Sequence, residues 1–179
     1  STNNTSFIPS LSRTGIPKYF YQFSSNEVSF SKNRPSLVNS KCGKKGCRSC
    51  VNLDLNTGWV TSGITNKSFG LVGASHDTLN CNTKGIIYVL SCTKCGIQYV
   101  WETKRTLKQR FSEHLHNISS NKNNTFLVQH FLIPGHHPSI KIIEKITESD
   151  DSTLKSRLLE REDFWIRMLV STYPYGLND

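Results

Sequence analysis

The chain has 179 residues, 36% of them apolar, and a formal net charge of +9. That length holds one ordinary domain and a smaller appendage, and the apolar share is low for one well-filled core, so a compact part and a looser part are expected. No apolar run approaches the roughly 18 residues that span a bilayer, and no charged-then-apolar leader precedes a cleavage site, so the expectation is a soluble, intracellular protein, neither membrane-bound nor secreted. A chain opening on Ser1 without methionine reads as a piece of something larger.

Residues 1 to about 35 are rich in Ser, Asn and aromatics without a sustained period, and read as a linker or extended arm. Residues 36–82 form a second segment with four of the six cysteines and strand-like pieces near 58–64 and 68–72. From residue 83 to 179 the pattern sharpens into a compact α/β (α+β) unit. Strands are predicted at 86–90 and 97–101, a basic helix at 106–118, a short helix at 126–131, a strand at 140–146 and a long helix at 152–170.

Charge is uneven along this order. Residues 1–122 carry 16 Lys or Arg against 5 acids, net +11, and residues 123–179 carry 6 against 8, net −2. The clusters Lys41, Lys44, Lys45, Arg48 and Lys104, Arg105, Lys108, Arg110 are what a polyanion would meet, so nucleic acid is the expected partner. The plainer alternative is a solubilising surface.

The cysteines have metal-ligand spacing. Cys42-x4-Cys47-x2-Cys50 is a tight knuckle that Cys81 would complete as a tetrahedral zinc site, with His76 as the reserve fourth ligand. Cys92-x2-Cys95 sits in the turn between two predicted strands. His130 and His136, with His137 as an alternative to His136, would make a second zinc site of two thiolates and two imidazoles. Disulfides are the competing reading, disfavoured in a chain without a secretory signal.

Two helices turn polar residues inward. In 152–170, Leu154, Leu158, Trp165 and Leu169 share one side, and Glu162 projects into the same arc while Glu160 points away. An unpaired buried carboxylate costs several kcal/mol or more, so Glu162 asks for a cation, a hydrogen-bond network or a metal. In 106–118, Leu107, Phe111, Leu115 and Ile118 form the stripe, with His114 at its centre and Arg110 at its edge.

Gly85-Ile86-Ile87-Tyr88, Tyr99-Val100-Trp101, Arg110 and Glu162-Asp163-Phe164-Trp165-Ile166 follow one another in the order and spacing of the GIY-YIG nucleases, which the chain resembles over about residues 36–179. The ending Tyr173-Pro174-Tyr175-Gly176-Leu177-Asn178-Asp179, the hairpin cysteine pair and the upstream knuckle look specifically like the endonuclease of Penelope-like retroelements. The resemblance implies a small sheet of about three strands flanked by helices and preceded by the zinc knuckle. It implies a site of Tyr88, Tyr99, Arg110, His114, Glu162 and Asn178, with Glu162 holding a catalytic Mg2+ or Mn2+ and a motif tyrosine drawing a proton from water. Lys44, Lys45, Arg48, Lys104, Arg105 and Lys108 would bind nucleic acid. The implied activity is nicking of target DNA to leave a 3′ hydroxyl that primes reverse transcription in the nucleus, with element RNA and the reverse transcriptase of the same polyprotein as further partners.

Trp101 departs from the motif, which has glycine there. An indole at that position closes the site, turns outward, or stacks on an unpaired base. The first case leaves a zinc-stabilised nucleic-acid-binding module without catalysis as the alternative function.

Overall fold

The structure is a computed structural model and describes residues 37–56, 58–74, 77–122 and 125–179. The expected arm at 1–35 and the reserve ligand His76 lie outside these residues.

The sheet forms where β-branched and aromatic residues run without interruption. The expected three-stranded sheet is formed by β3 (Ile86–Cys92), β4 (Gln98–Thr103) and β5 (Pro138–Lys145), which pair antiparallel in the order β4-β3-β5 with β3 in the centre. The first five of the seven β3 residues are buried in succession, as befits a strand covered on both faces. Gly85 opens it at φ 64°, and a Cβ there would lie 2.7 Å from the Ile146 carbonyl oxygen, so only glycine fits the position. The register slips between Ile87 and Tyr88 against β5, where Glu144 and Ile142 are the partners and Ile143 is the extra residue of a bulge.

Helix α2 (Leu107–Ser119) starts with a capping box, Thr106 with Gln109, which satisfies donors at both ends of its first turn. Helix α3 is Phe126–Phe131, and helix α4 (Asp151–Leu169) is capped by Asp150, whose carboxylate accepts from the Ser152 and Thr153 amides at 3.0 and 2.9 Å. No helix among the described residues is long and apolar enough to cross a membrane.

The segment before the sheet is shorter in strand than expected. β1 is Trp59–Thr61 and β2 is Ser68–Gly70, paired antiparallel. The Ser62 hydroxyl accepts from the Ile64 and Thr65 amides and Asn66 takes a left-handed φ of 57°, which turns the chain where the sequence pattern predicts a longer strand. A single helical turn, α1 (Arg48–Val51), is absent from the sequence expectation, because its residues follow knuckle geometry rather than an amphipathic period. Leu37, Leu53, Val60, Phe69, Leu71 and Leu79 are buried in the same cluster as Ile86, Val100, Ile142 and Trp165. The four knuckle cysteines form their own small cluster.

Both margins of the sheet are met by asparagine side chains. On β5, Asn39 Nδ2 donates to the Ile142 carbonyl at 3.0 Å and its Oδ1 accepts from the Ile142 amide at 2.9 Å. On β4, Asn178 does the same for Val100 at 2.8 and 2.9 Å. Each side chain supplies the donor and acceptor that a neighbouring strand would, so the outward backbone groups of Ile142 and Val100 are paired.

Candidate active site

Alternation along the strands puts Tyr88, Tyr99 and Trp101 on one face, since Tyr88 pairs with Trp101 and Leu90 with Tyr99. Helix α2 covers that face. His114, on its inward stripe, is buried beside both phenols: Tyr88 Oη lies 2.6 Å from His114 Nε2, and the Tyr99 ring centroid is 5.8 Å from the imidazole. The Arg110 guanidinium, which can only donate, lies beside the same Tyr88 oxygen, so the phenol hydrogen is directed to His114.

Electrostatics fix the proton positions. Burial pushes the Tyr88 and Tyr99 hydroxyls well above the ordinary phenol range, and Arg110 partly offsets this, so both are neutral at pH 7. Burial, then the Arg110 charge, lowers His114 to about 4, so it is a neutral proton acceptor.

Glu162 comes from α4, which covers the opposite face, where Glu102 and Glu144 point. At the β4 margin of the sheet, Arg110 of α2 and Glu162 of α4 are close enough for their charges to interact. Burial and then the Glu102 charge raise Glu162 to about 7, while Lys155 and Arg110 act the other way. Tyr99 feels the Glu162 charge in turn. The carboxylate is half-buried, and no hydrogen bond or ion pair holds it among the described residues, so the salt bridge to Arg110 that would have been its bland explanation is not formed.

Trp101 does not interrupt the strand, so this position needs no special backbone. Its half-buried indole stacks on Tyr99 at 5.4 Å and 15°, and the Arg110 guanidinium sits over it at 5.4 Å. Trp101 and Arg110 line an open cleft of about 380 Å³ together with Glu102, Thr103, Arg105 and Lys155.

Several positions differ from the sequence expectation. Asn178 is buried with both amide atoms engaged at Val100 and its Oδ1 also accepting from Ser171 at 2.7 Å, so it holds the strand of Tyr99 and Trp101 and does not face the cleft. Lys104 pairs with Asp151 at 2.5 Å and Arg105 with Glu113 at 2.6 Å, so these cations are already partnered, whereas Lys44, Lys45, Arg48 and Lys108 have no ion pair among the described residues. Sequence reasoning missed Glu102, buried and paired with Lys155, and Glu144, which accepts from Arg161 at 2.9 Å and from Trp165 Nε1 at 2.6 Å. Their signal was an acid on a buried strand, visible only with the burial pattern.

Cys42, Cys47, Cys50 and Cys81 converge with Sγ separations of 3.6 Å (Cys47 to Cys81), 3.5 Å (Cys42 to Cys50) and 3.7 Å (Cys50 to Cys81). A tetrahedron with bonds of about 2.3 Å has edges of about 3.8 Å, so the four thiols fit one metal ion. Cys92, Cys95, His130 and His136 converge likewise, with Cys92 Sγ 3.4 Å from His136 Nδ1 and Cys95 Sγ 3.5 Å from His130 Nε2. His137 lies outside this group. All six thiols are free of disulfides. The second group joins the β3–β4 hairpin to the flanks of α3.

Residues 84–173, half of the chain, match the model of the GIY-YIG catalytic domain. The chain therefore belongs to the GIY-YIG family, whose domains are DNA nucleases that use divalent metals. Among solved structures, the catalytic domain of intron endonuclease I-TevI, with a glutamate-to-alanine substitution, is 26% identical over 51% of this chain and 89% of that one, with a TM-score of 0.44. At that score the superposition adds no weight to the family assignment. No curated protein matches the chain.

Proposed function

We propose that the chain is the DNA endonuclease of a Penelope-like retroelement, with residues 36–82 as a zinc-stapled module and 83–179 as the nuclease domain. It nicks target DNA in the nucleus and leaves a 3′ hydroxyl that primes reverse transcription, working beside the element's reverse transcriptase and RNA. The observation that carries the hydrolytic reading is the half-buried Glu162 carboxylate, without a hydrogen-bond partner among the described residues, within the field of Arg110 and close enough for its own charge to reach the Tyr99 hydroxyl. A lone carboxylate suits a magnesium ion, which keeps most of its waters. Such an ion would supply charge opposite the scissile phosphate and the leaving oxygen.

The chain's own residues do the rest. Tyr88 takes the proton of the attacking water as its own hydroxyl proton passes to neutral His114, a transfer prepared by the 2.6 Å contact. Arg110 balances charge that builds on the phosphoryl oxygens. Tyr99 lines the site, and Asn178 keeps its strand in place. Zinc in each cysteine group would hold the knuckle and the hairpin.

The second reading, a DNA- or RNA-binding module without catalysis, is favoured by the Trp101 indole lying over Arg110. Relaxation of supercoiled plasmid with Mg2+ separates the two. Nicking by this chain or by Trp101→Gly, lost by at least about a hundredfold in Glu162→Ala with DNA binding retained, supports the enzyme. Binding without nicking by either form supports the module.

A further inference from the structure

Arg110 does not face the cleft alone. Arg105, held in the β4–α2 turn by the hydrogen bond its backbone N–H donates to Thr103 Oγ1 at 3.0 Å, sends both terminal nitrogens to Glu113: Nη1 to Oε1 at 2.6 Å and Nη2 to Oε2 at 2.7 Å. Arg110 Nη1 donates to the same Oε2 at 3.0 Å. One carboxylate thus fills a fork made by two guanidinium groups at the cleft wall. A helix needs only the Arg110–Glu113 pair, three residues apart, for local support. The two-pronged grip by Arg105, from outside the helix, has no such purpose.

A carboxylate and a backbone phosphodiester each present a pair of acceptor oxygens to an arginine, and each carries one negative charge. The Glu113 side chain is 40% exposed, and exposed ion pairs are weak, so exchange for a phosphate is cheap. Left in place beside a bound strand, the Glu113 charge would instead repel it. We propose that Arg105 and Arg110 form a two-arginine clamp for a backbone phosphate of the DNA substrate, and that Glu113 is its place-holder, released when the phosphate enters. Arg105 is then a positioning residue of the same site, so the inference rests on the endonuclease reading. The Arg105 and Arg110 charges hold Glu113 below the usual carboxylate range, which keeps it anionic and a fair stand-in.

The test is duplex binding, read by fluorescence anisotropy in Ca2+ so that cleavage does not intrude. Glu113→Gln keeps the shape and removes the charge. Its Kd is expected to fall about three- to tenfold, the amount that one or two exposed ion pairs withhold. Asp151→Asn, which frees Lys104 at the same rim, should change Kd less than about twofold, and the Glu113→Gln gain should shrink to less than about twofold in an Arg105→Ala background, where only the Arg110 contact is left to release. Thermal melting of each variant verifies folding. No tightening in Glu113→Gln, an equal gain from Asp151→Asn, or a gain that is undiminished in Arg105→Ala overturns the clamp. If the binding pattern holds while no variant nicks plasmid, the clamp stands and the hydrolytic reading falls.

Discussion

The cations of the knuckle and those of the cleft are the same residue types in different electrostatic company. Lys41, Lys44, Lys45 and Arg48 surround the four-cysteine cluster with no carboxylate partner among the described residues, and Lys41, Lys44 and Lys45 edge a groove of about 310 Å³. Lys104, Arg105, Arg110 and Lys155 each contact an acid: Asp151, Glu113, Glu113 and Glu102. An unpartnered cation attracts any polyanion, whereas a partnered one yields only to a ligand that replaces its acid. The knuckle is thereby suited to holding nucleic acid and the cleft to choosing what enters.

On the zinc reading of the knuckle, stripping metal from its four cysteines should break this contrast most severely. With Cys81→Ser or a strong chelator, the small cysteine cluster has little else to hold it, since binding energy at such a site is folding energy. A loss of several kcal/mol in stability and about a hundredfold in DNA affinity is expected, read by melting and by anisotropy. Unchanged melting with chelator present would mean that packing alone orders the knuckle.

Reversing charge on the intact knuckle is the next largest effect. Lys44→Glu, Lys45→Glu and Arg48→Glu together should weaken duplex binding about tenfold or more and flatten the slope of log K against log salt by about 0.9 for each phosphate no longer neutralised. Nicking at saturating DNA should persist, because none of these residues touches the reacting groups. A salt slope equal to that of the parent chain would place the DNA elsewhere.

The smallest effect sharpens the cleft side. His114 sits at about 4 in the folded chain against an ordinary 6.5, so folding excludes its proton. Its contribution to stability is therefore complete above about pH 6.5 and is lost as pH falls through about 4, with a ceiling of about 3 kcal/mol. Subtracting the stability of His114→Gln from that of the parent at pH 7 and at pH 4.5 isolates it, since every other acid effect is common to both chains. Parallel pH curves would show the imidazole to be solvated.

Much of this was legible in the residues. The 3.6 period of the last helix and its out-of-pattern Glu162 were enough to place that acid inward, and cysteine spacing together with the histidine cluster pointed to both groups that converge, with His76 and His137 still open as alternatives. The motif order placed Tyr88, Tyr99 and Arg110 on the elements where they lie. What stayed hidden has no local signature. Glu113 is an ordinary exposed helical acid until Arg105 folds over it, and Asn39 reaches Ile142 across 103 positions. Asn178 was legible as important and not for what it does, because a turn residue and a strand-edge partner look alike in one dimension.

The two asparagines that flank the sheet are each a strand reduced to a single amide. They leave no lateral seam at Val100 or Ile142 along which another chain could extend the sheet. The same economy makes residue 178 a remote adjuster of the phenol and indole on either side of residue 100. A substitution there would loosen the margin that carries both rings while leaving Tyr88, Arg110, His114 and Glu162 chemically unchanged.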